Sequence, residues 1–178
     1  MTDVIVNVES RILKPINEVF DAIIDPAKMA HYFISGASGP LKAGTTVKRE
    51  FADVGAKISV VVIEVEENRK VVYEWAASGA KTRVTIALQP DDSGTTGVSI
   101  SEAGWPMDGE GVKRALGQNA GWTFTVCCLK AYVSTASTFV SARRRGSLVN
   151  PHAKGQGPAS SSGFGIRPAW SEAFKSLS

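Results

Sequence analysis

The feature that most constrains the fold is a change of hydrophobic period near residue 109. Before this point, apolar side chains recur at every second position in a series of short segments. After it, they recur at every third or fourth position over about 30 residues. A period of two is typical of half-buried strands, and a period of 3.6 is typical of an amphipathic helix. The chain is therefore predicted to form a sheet first and one long helix afterwards.

Six strands are predicted from the alternating segments. The first begins at Val4 and ends before Pro15, and the others lie near residues 46–51, 57–66, 70–75, 82–88 and 97–103. The connections between the last five are the short sequences "DVGA", "EENR", "ASGAK" and "PDDSGTTG", which hold turn-forming residues. Parallel strands need a crossover of a dozen or more residues, so connections this short predict an antiparallel meander.

Two short helices are predicted between the first two strands. Pro15 suits the first position of a helix, and apolar residues follow it at helical spacing in "INEVFDAII". Asp25-Pro26 ends this helix and begins a second one, "PAKMAHYF".

The long helix is predicted to begin at Gly109 and to extend to about Ala142. One stripe of this helix is apolar and consists of Ala115, Trp122, Val126, Leu129 and Val133. A six-stranded antiparallel sheet has one face to cover, and a single long helix packed across it gives an α+β fold.

Composition divides the chain near residue 142. Residues 1–142 hold 14 basic and 16 acidic residues, a net charge of −2, whereas residues 143–178 have a net charge of +5. The second segment is rich in Gly, Ser, Pro and Arg and has no periodicity. We therefore expect a folded domain over 1–142 and a flexible tail over 143–178. A mildly acidic domain argues against binding of nucleic acid.

The chain shows no pattern of a targeting or membrane-spanning segment. It begins Met1-Thr2-Asp3 and enters the first strand directly, and no apolar run reaches the ~18–20 residues that cross a bilayer. A cytoplasmic protein without a membrane span is expected.

The adjacent residues Cys127 and Cys128 are the only cysteines of the chain. Neighbouring residues of a helix point about 100° apart, so these thiols cannot readily share a metal ion or form a disulfide. Metal sites also need further ligands, and His31 and His152 are distant in sequence. We interpret both cysteines as small buried side chains and expect neither a metal nor a cofactor.

Several blocks of the sequence resemble one family in the same order. They are "KPINEVFDAIIDPAKMAHYF", "SGASGPLKAGTTVKREF", "VIEVEENRKVVYEW", "ISEAGW" and "NAGWTFTVCCLKAY". Together they span roughly residues 4–133 and resemble proteins similar to the activator of heat-shock-protein-90 ATPase. That family belongs to the START/SRPBCC superfamily, which has the helix-grip fold of the birch pollen allergen. The resemblance implies that residues 1–142 form a curved antiparallel sheet wrapped on the long helix.

The resemblance implies a fold but leaves the function open. The superfamily includes lipid carriers, hormone-binding proteins, polyketide aromatase/cyclases and co-chaperone domains, and a shared fold does not fix function. Helix-grip proteins commonly hold a ligand between the sheet and the long helix, which suggests a cavity here as well. The residues expected to line it are Phe33, Phe51, Tyr73, Trp75, Glu102, Trp105, Trp122, Val126 and Leu129. The alternative is an ordinary aromatic core.

Glu102 is the one candidate polar group in this set. Side chains alternate along a strand, so Glu102 lies on the same face as Val98 and Ile100. On the concave face, its carboxylate would either hydrogen-bond a ligand or act as an acid or base. Alternatively, it lies at the strand end and meets solvent or backbone amides. Arg49, Glu50 and Glu74 are expected at the surface.

Three functions are compatible with these observations. The favoured hypothesis is a binding module for a small hydrophobic or amphipathic molecule. The second is regulation of a chaperone ATPase through protein–protein contacts. The third is a cyclase or hydrolase that uses the same cavity; catalysis is the less expected outcome, because Glu102 is the sole candidate acid or base.

Overall fold

The computed structural model describes residues 3–144, with side chains as far as residue 135. Residues 143 and 144 of the predicted tail belong to the last helix, and the rest of that tail lies outside the described residues. The elements in chain order are β1 (Val4–Ile12), α1 (Ile16–Ile24), α2 (Pro26–Met29), β2 (Gly36–Ala37), β3 (Thr46–Phe51), β4 (Ala56–Glu66), β5 (Lys70–Trp75), β6 (Thr82–Pro90), β7 (Thr96–Trp105) and α3 (Gly109–Arg144).

The strands form one antiparallel sheet in the order β1-β7-β6-β5-β4-β3-β2. The meander from β3 to β7 is as predicted, and β1 completes the sheet by pairing with β7. The sheet has seven strands instead of the predicted six, because Gly36 and Ala37 pair with Glu50 and Arg49 of β3. A strand of two residues has no periodicity of its own, so the alternation of side chains gives no sign of it.

The predicted helix-grip fold is confirmed: the curved sheet wraps around α3. The inner face of the sheet follows the period of two, as Val98, Ile100 and Glu102 of β7 illustrate, since all three are buried. The predicted apolar stripe of α3 is buried along its whole length, from Ala115 to Val133. The core therefore lies in a single layer between the sheet and α3.

The two short helices cover one end of this core. Helix α1 buries Val19, Phe20, Ala22 and Ile23. The side chain of Asp25 then accepts a hydrogen bond from the backbone nitrogen of Ala27 at 2.8 Å and caps α2. Helix α2 ends at Met29, earlier than predicted, and the chain continues in a turn where the backbone nitrogens of Phe33 and Ile34 both donate to the Met29 carbonyl. This turn directs the side chain of Ile34 into the core.

No helix within residues 3–144 has both the length and the apolar character required to cross a membrane.

A bulge near the end of β7 determines the path of the chain beside Glu102. Val4 pairs with Trp105 and Ile5 with Ala103, so Gly104 is the extra residue of the bulge. Gly104 has a φ of 125°, and a Cβ atom there would lie 2.9 Å from the carbonyl oxygen of Lys81. This position therefore requires glycine for both its backbone conformation and its contacts.

Substitution Gly104→Ala is expected to lower the free energy of unfolding by about 1–3 kcal/mol, because it strains the backbone and forces a contact. Gly117→Ala in α3 is the matched control, since nothing lies within 4 Å of its Cβ position. The control should raise stability by roughly 0.5–1 kcal/mol, because alanine favours helix over glycine. Urea unfolding measures both values. Equal effects of the two substitutions would contradict this account of the bulge.

Candidate functional site

The carboxylate of Glu102 is completely buried between the sheet and α3. Its Oε1 accepts hydrogen bonds from Nε1 of Trp75 at 2.8 Å and from Oγ1 of Thr82 at 2.5 Å. Its Oε2 accepts from Nε1 of Trp122 at 2.6 Å. Nε2 of Gln118 donates to both oxygens, at 3.3 and 3.1 Å. All four partners are uncharged. We call these five residues the Glu102 cluster.

The strand register and the helical period bring these residues together. Trp75 of β5 pairs with Thr82 of β6, while Glu102 of β7 pairs with the residue two positions after Thr82. The three side chains therefore share the inner face of the sheet. Gln118 and Trp122 are four residues apart and lie on one side of α3. The sheet supplies the carboxylate and two donors, and the helix supplies the other two donors.

The Glu102 cluster fixes the position of two indole rings. A carboxylate has about four acceptor positions, and five hydrogen bonds occupy them here. The carboxylate meets neither solvent nor backbone amides, which were the alternative for this strand end. Trp75 donates to one oxygen of Glu102 and Trp122 to the other, so buried hydrogen bonds hold both indoles in place.

Five aromatic side chains continue from this cluster in a connected series. Successive ring centroids lie 5.7 Å apart for Phe51 and Phe33, 5.6 Å for Phe33 and Trp122, 5.6 Å for Trp122 and Trp75, and 5.6 Å for Trp75 and Tyr73. These spacings are typical of favourable edge-to-face and tilted aromatic contacts. We call the series the aromatic belt.

Arg49 bridges two members of the aromatic belt, Phe33 and Tyr73. Its guanidinium carbon lies 5.4 Å from the ring centroid of Phe33 and 4.8 Å from that of Tyr73. The prediction of a surface position for Arg49 is wrong, since the residue is only 1% exposed. The physical reason is strand alternation, which places Arg49 on the same inner face as Val47 and Phe51.

Glu50 and Glu74, the other two residues expected at the surface, lie on the outer face of the sheet. Glu50 is exposed and pairs with Lys57 at 2.7 Å. Glu74 is partly buried and pairs with Lys81 at 2.6 Å and with Arg83 at 2.7 Å.

The Tyr73 hydroxyl is a hydrogen-bond partner of the Arg49 guanidinium. Nη1 of Arg49 donates to the Tyr73 hydroxyl at 3.3 Å, and Nε of Arg49 has no hydrogen-bond partner among the described residues. Burial raises the pKa of Tyr73 to about 12, although the positive charge of Arg49 opposes this shift. The phenol therefore stays protonated at neutral pH and does not neutralise the guanidinium.

Two small cavities lie inside the protein. The indole cavity is lined by Phe33, Phe51, Trp75 and Trp122 together with Gln118, Gly121 and Thr125. The arginine cavity lies beside it, and its lining includes Arg49, Tyr73, Phe33, Trp122, Val126 and Leu129. The space open to the centre of a water molecule is about 10 Å³ in the first and about 20 Å³ in the second. Each cavity therefore has room for about one water.

A larger groove on the surface adjoins these cavities. It has a volume of about 560 Å³ and lies between the turn after α2 and the outer part of α3. Its aromatic lining residues are His31, Tyr32, Phe33, Phe124 and Tyr132. Phe33 lines the groove and both internal cavities, so its ring forms a wall common to all three spaces.

Seven of the nine predicted site residues line one of the two cavities, whereas Glu102 and Trp105 do not. Trp105 is fully buried, but its Nε1 donates to Oγ of Ser78 at 2.9 Å, and it is not among the residues that line either cavity. The prediction did not include Arg49, Thr82 and Gln118. Period-two alternation in β3 and β6, and the spacing of four between Gln118 and Trp122, place these polar residues on the inner faces.

The interpretation of both cysteines as buried side chains is wrong for Cys127, which is exposed on the outer side of α3. Cys128 is partly buried and lines the surface groove, and this burial raises the pKa of its thiol. Neither takes part in a disulfide. The part of the chain that the structure describes holds no group of three or more potential metal ligands.

The fold and the buried site define a helix-grip protein of the START/SRPBCC superfamily. Residues 14–134 match the family described as "Activator of Hsp90 ATPase homolog 1-like protein", and the chain belongs to this family. A comparison with curated proteins gives no match.

Several solved structures have the same fold. The protein SSP2350 from Staphylococcus saprophyticus is 26% identical, with a TM-score of 0.66 over 75% of this chain and 93% of its own. DynU16, a protein in the dynemicin biosynthetic locus, is 24% identical, with a TM-score of 0.68 over 76% of this chain and 49% of DynU16. The Aha1 dimer from Colwellia psychrerythraea is 19% identical, with a TM-score of 0.63 over 73% of this chain and 96% of its own.

Substitution Glu102→Gln is expected to destabilise the fold by about 1–3 kcal/mol, because the new amide group places a donor against buried indole and hydroxyl donors. Glu50→Gln on β3 is the matched control, where loss of an exposed ion pair to Lys57 costs about 0–1 kcal/mol. Urea unfolding measures stability, and near-ultraviolet circular dichroism reports the packing of the indoles. If the two variants lose the same stability, the Glu102 cluster does not anchor the core.

Proposed function

We propose that this protein binds a small hydrophobic or amphipathic molecule between the sheet and α3. The observation that carries the proposal is the position of Phe33, which separates an open groove from two buried cavities. A ligand that passes from the groove into the core would only have to displace this side chain. The aromatic and aliphatic lining, interrupted by a few polar groups, is the usual composition of a ligand site.

Binding requires the protein to open, because the internal cavities are nearly filled. Ligand sites commonly enclose about 300–1,000 Å³, far more than the space for one water in each cavity. The groove outside Phe33 has a volume of about 560 Å³. Rotation of the Phe33 ring out of its contacts with Phe51 and Trp122 would connect the groove with the interior. We infer that this rotation accompanies ligand entry.

The site residues then fall into two roles. The apolar body of the ligand would contact Phe33, Phe51, Tyr73, Val126 and Leu129. Glu102 would act indirectly, because its oxygens already accept hydrogen bonds and hold the indoles of Trp75 and Trp122. A catalytic role for Glu102 is not proposed, since an acid or base needs an oxygen free to meet the reacting group.

The relatives give this proposal general support. DynU16 comes from a biosynthetic locus, which is consistent with a fold used in the handling of small molecules. The largely apolar and aromatic lining of the two cavities supports this class of ligand.

A ligand titration tests the proposal with naphthalene-2-carboxamide, an uncharged aromatic probe. We expect this probe to bind and to change tryptophan fluorescence. Thr125→Leu should weaken binding at least tenfold, because Thr125 lines both cavities and a larger side chain fills them. Thr123→Leu is the control, since Thr123 makes the same type of hydrogen bond to the residue four positions earlier but is exposed.

The same titration examines the role of Phe33. Phe33→Ala should accelerate probe association about tenfold, since it removes the wall between groove and interior. Failure of the wild-type protein to bind both this probe and naphthalene-2-carboxylate, or equal binding by the Thr125→Leu and Thr123→Leu variants, would refute the proposed site.

The family description supports a second candidate function, regulation of an Hsp90-type ATPase. A relative with the same fold is named Aha1 and forms a dimer. If this protein acts in the same way, adding it to an Hsp90 chaperone should raise the rate of ATP hydrolysis, measured with a coupled assay. An unchanged rate over a range of protein concentrations would exclude activation of the chaperone tested.

A further inference from the structure

Arg49 is a buried cation without an anionic partner among the described residues. It is 1% exposed and lines the arginine cavity. No acidic side chain that the structure describes lies within 4 Å of its guanidinium, whereas the ion pairs found in this part of the chain involve partly or well exposed side chains. An isolated buried charge is costly, so buried charges in proteins are normally paired.

The contacts of Arg49 satisfy only part of its hydrogen-bonding capacity. A guanidinium carries five N–H donors in a planar fork. The structure gives it one hydrogen bond, to the Tyr73 hydroxyl, and leaves Nε without a partner. The faces of Phe33 and Tyr73 provide cation–π contacts, which stabilise the charge but use no N–H donor.

Glu102 does not supply the missing partner. Its oxygens accept hydrogen bonds from Trp75, Thr82, Gln118 and Trp122, and it makes no ion pair with Arg49. The protein therefore buries a carboxylate that is fully hydrogen-bonded and, at a separate position, a guanidinium that is not. An additional anion is needed at Arg49 and not at Glu102.

We propose that the ligand is an amphipathic carboxylate whose anionic group binds Arg49. This inference rests on the proposed ligand-binding function and specifies the class of ligand. The carboxylate would enter the arginine cavity and accept hydrogen bonds from Nε of Arg49 and from the hydroxyl of Tyr73. The apolar body would lie along the aromatic belt and against Val126 and Leu129.

The size and donors of the arginine cavity favour a carboxylate over a larger anion. A carboxylate is planar and matches the edge of a guanidinium. Tyr73 accepts a hydrogen bond from Arg49, and its own O–H remains available as a second donor because the phenol stays protonated at neutral pH. A phosphate carries more oxygens than these two groups can satisfy, and the lining beyond them is apolar, with Ile86, Val98 and Ile100.

Two probes of nearly the same shape test the inference on the full chain. Naphthalene-2-carboxylate is charged at neutral pH, and naphthalene-2-carboxamide is not. We expect the wild-type protein to bind the carboxylate about 10- to 100-fold more tightly, as measured by isothermal titration calorimetry or tryptophan fluorescence, because hydrogen bonds to charged groups are the stronger ones. The measured quantity is the ratio of the two dissociation constants.

Arg49→Met should bring this ratio to about one, since methionine keeps the apolar volume and removes the charge and the donors. Arg49→Lys keeps the charge without the planar fork and should give an intermediate ratio. Lys48→Met, an exposed cation on the opposite face of the same strand, is the control and should keep the wild-type ratio. Thermal unfolding confirms that each variant is folded before binding is compared.

The outcomes separate this inference from the proposed function. If the wild-type protein binds both probes equally, or if Arg49→Met and Lys48→Met change the ratio alike, the inference about the anion is overturned while the binding site stands. If neither probe binds to the wild-type protein, the proposed function itself fails, and the inference fails with it.

Discussion

The carboxylate of Glu102 is the interaction on which the arrangement of the core depends. It lies in the core between the sheet and α3, and it accepts hydrogen bonds from both. Hydrophobic packing alone would allow the helix to slide or rotate on the sheet, because apolar contacts are not directional. Hydrogen bonds from Gln118 and Trp122 of α3 to one carboxylate restrict both movements. The register of the helix on the sheet is therefore set by polar groups inside an apolar core.

The two buried charges of the site have opposite roles. The negative charge of Glu102 is compensated by uncharged donors of the protein and holds two members of the aromatic belt. The guanidinium of Arg49 contacts the faces of Phe33 and Tyr73, but its Nε has no acceptor among the described residues. A direct Arg49–Glu102 ion pair would have satisfied both groups and left no demand for a ligand. Because the two groups are separate, the core contains a fully hydrogen-bonded Glu102 and, next to it, an Arg49 whose hydrogen-bonding capacity is only partly used.

Most of the fold could be predicted from the sequence, because β1, β3 to β7 and α3 are each long enough to show a repeating hydrophobic pattern. It did not predict β2, since two residues carry no period. Alternation with Val98 and Ile100 made the concave face one of two alternatives for Glu102. Its partners come from β5, β6 and α3, and contacts between distant segments have no local pattern. The predicted surface position of Arg49 is wrong because a charged side chain usually lies at the surface, whereas alternation with Val47 and Phe51 places Arg49 on the inner face.

The two halves of the aromatic belt differ in how firmly they are held. Trp75 and Trp122 are tied to Glu102 by their indole nitrogens, so their rings cannot turn without breaking a buried hydrogen bond. Phe33 has no polar atom on its side chain and lies in the turn after α2, beside the open groove. Opening at Phe33 breaks only aromatic and cation–π contacts, whereas opening at the indoles would also leave a carboxylate unsatisfied. A ligand would therefore enter past Phe33 and reach the side of the belt where Arg49 lies, leaving the Glu102 cluster intact.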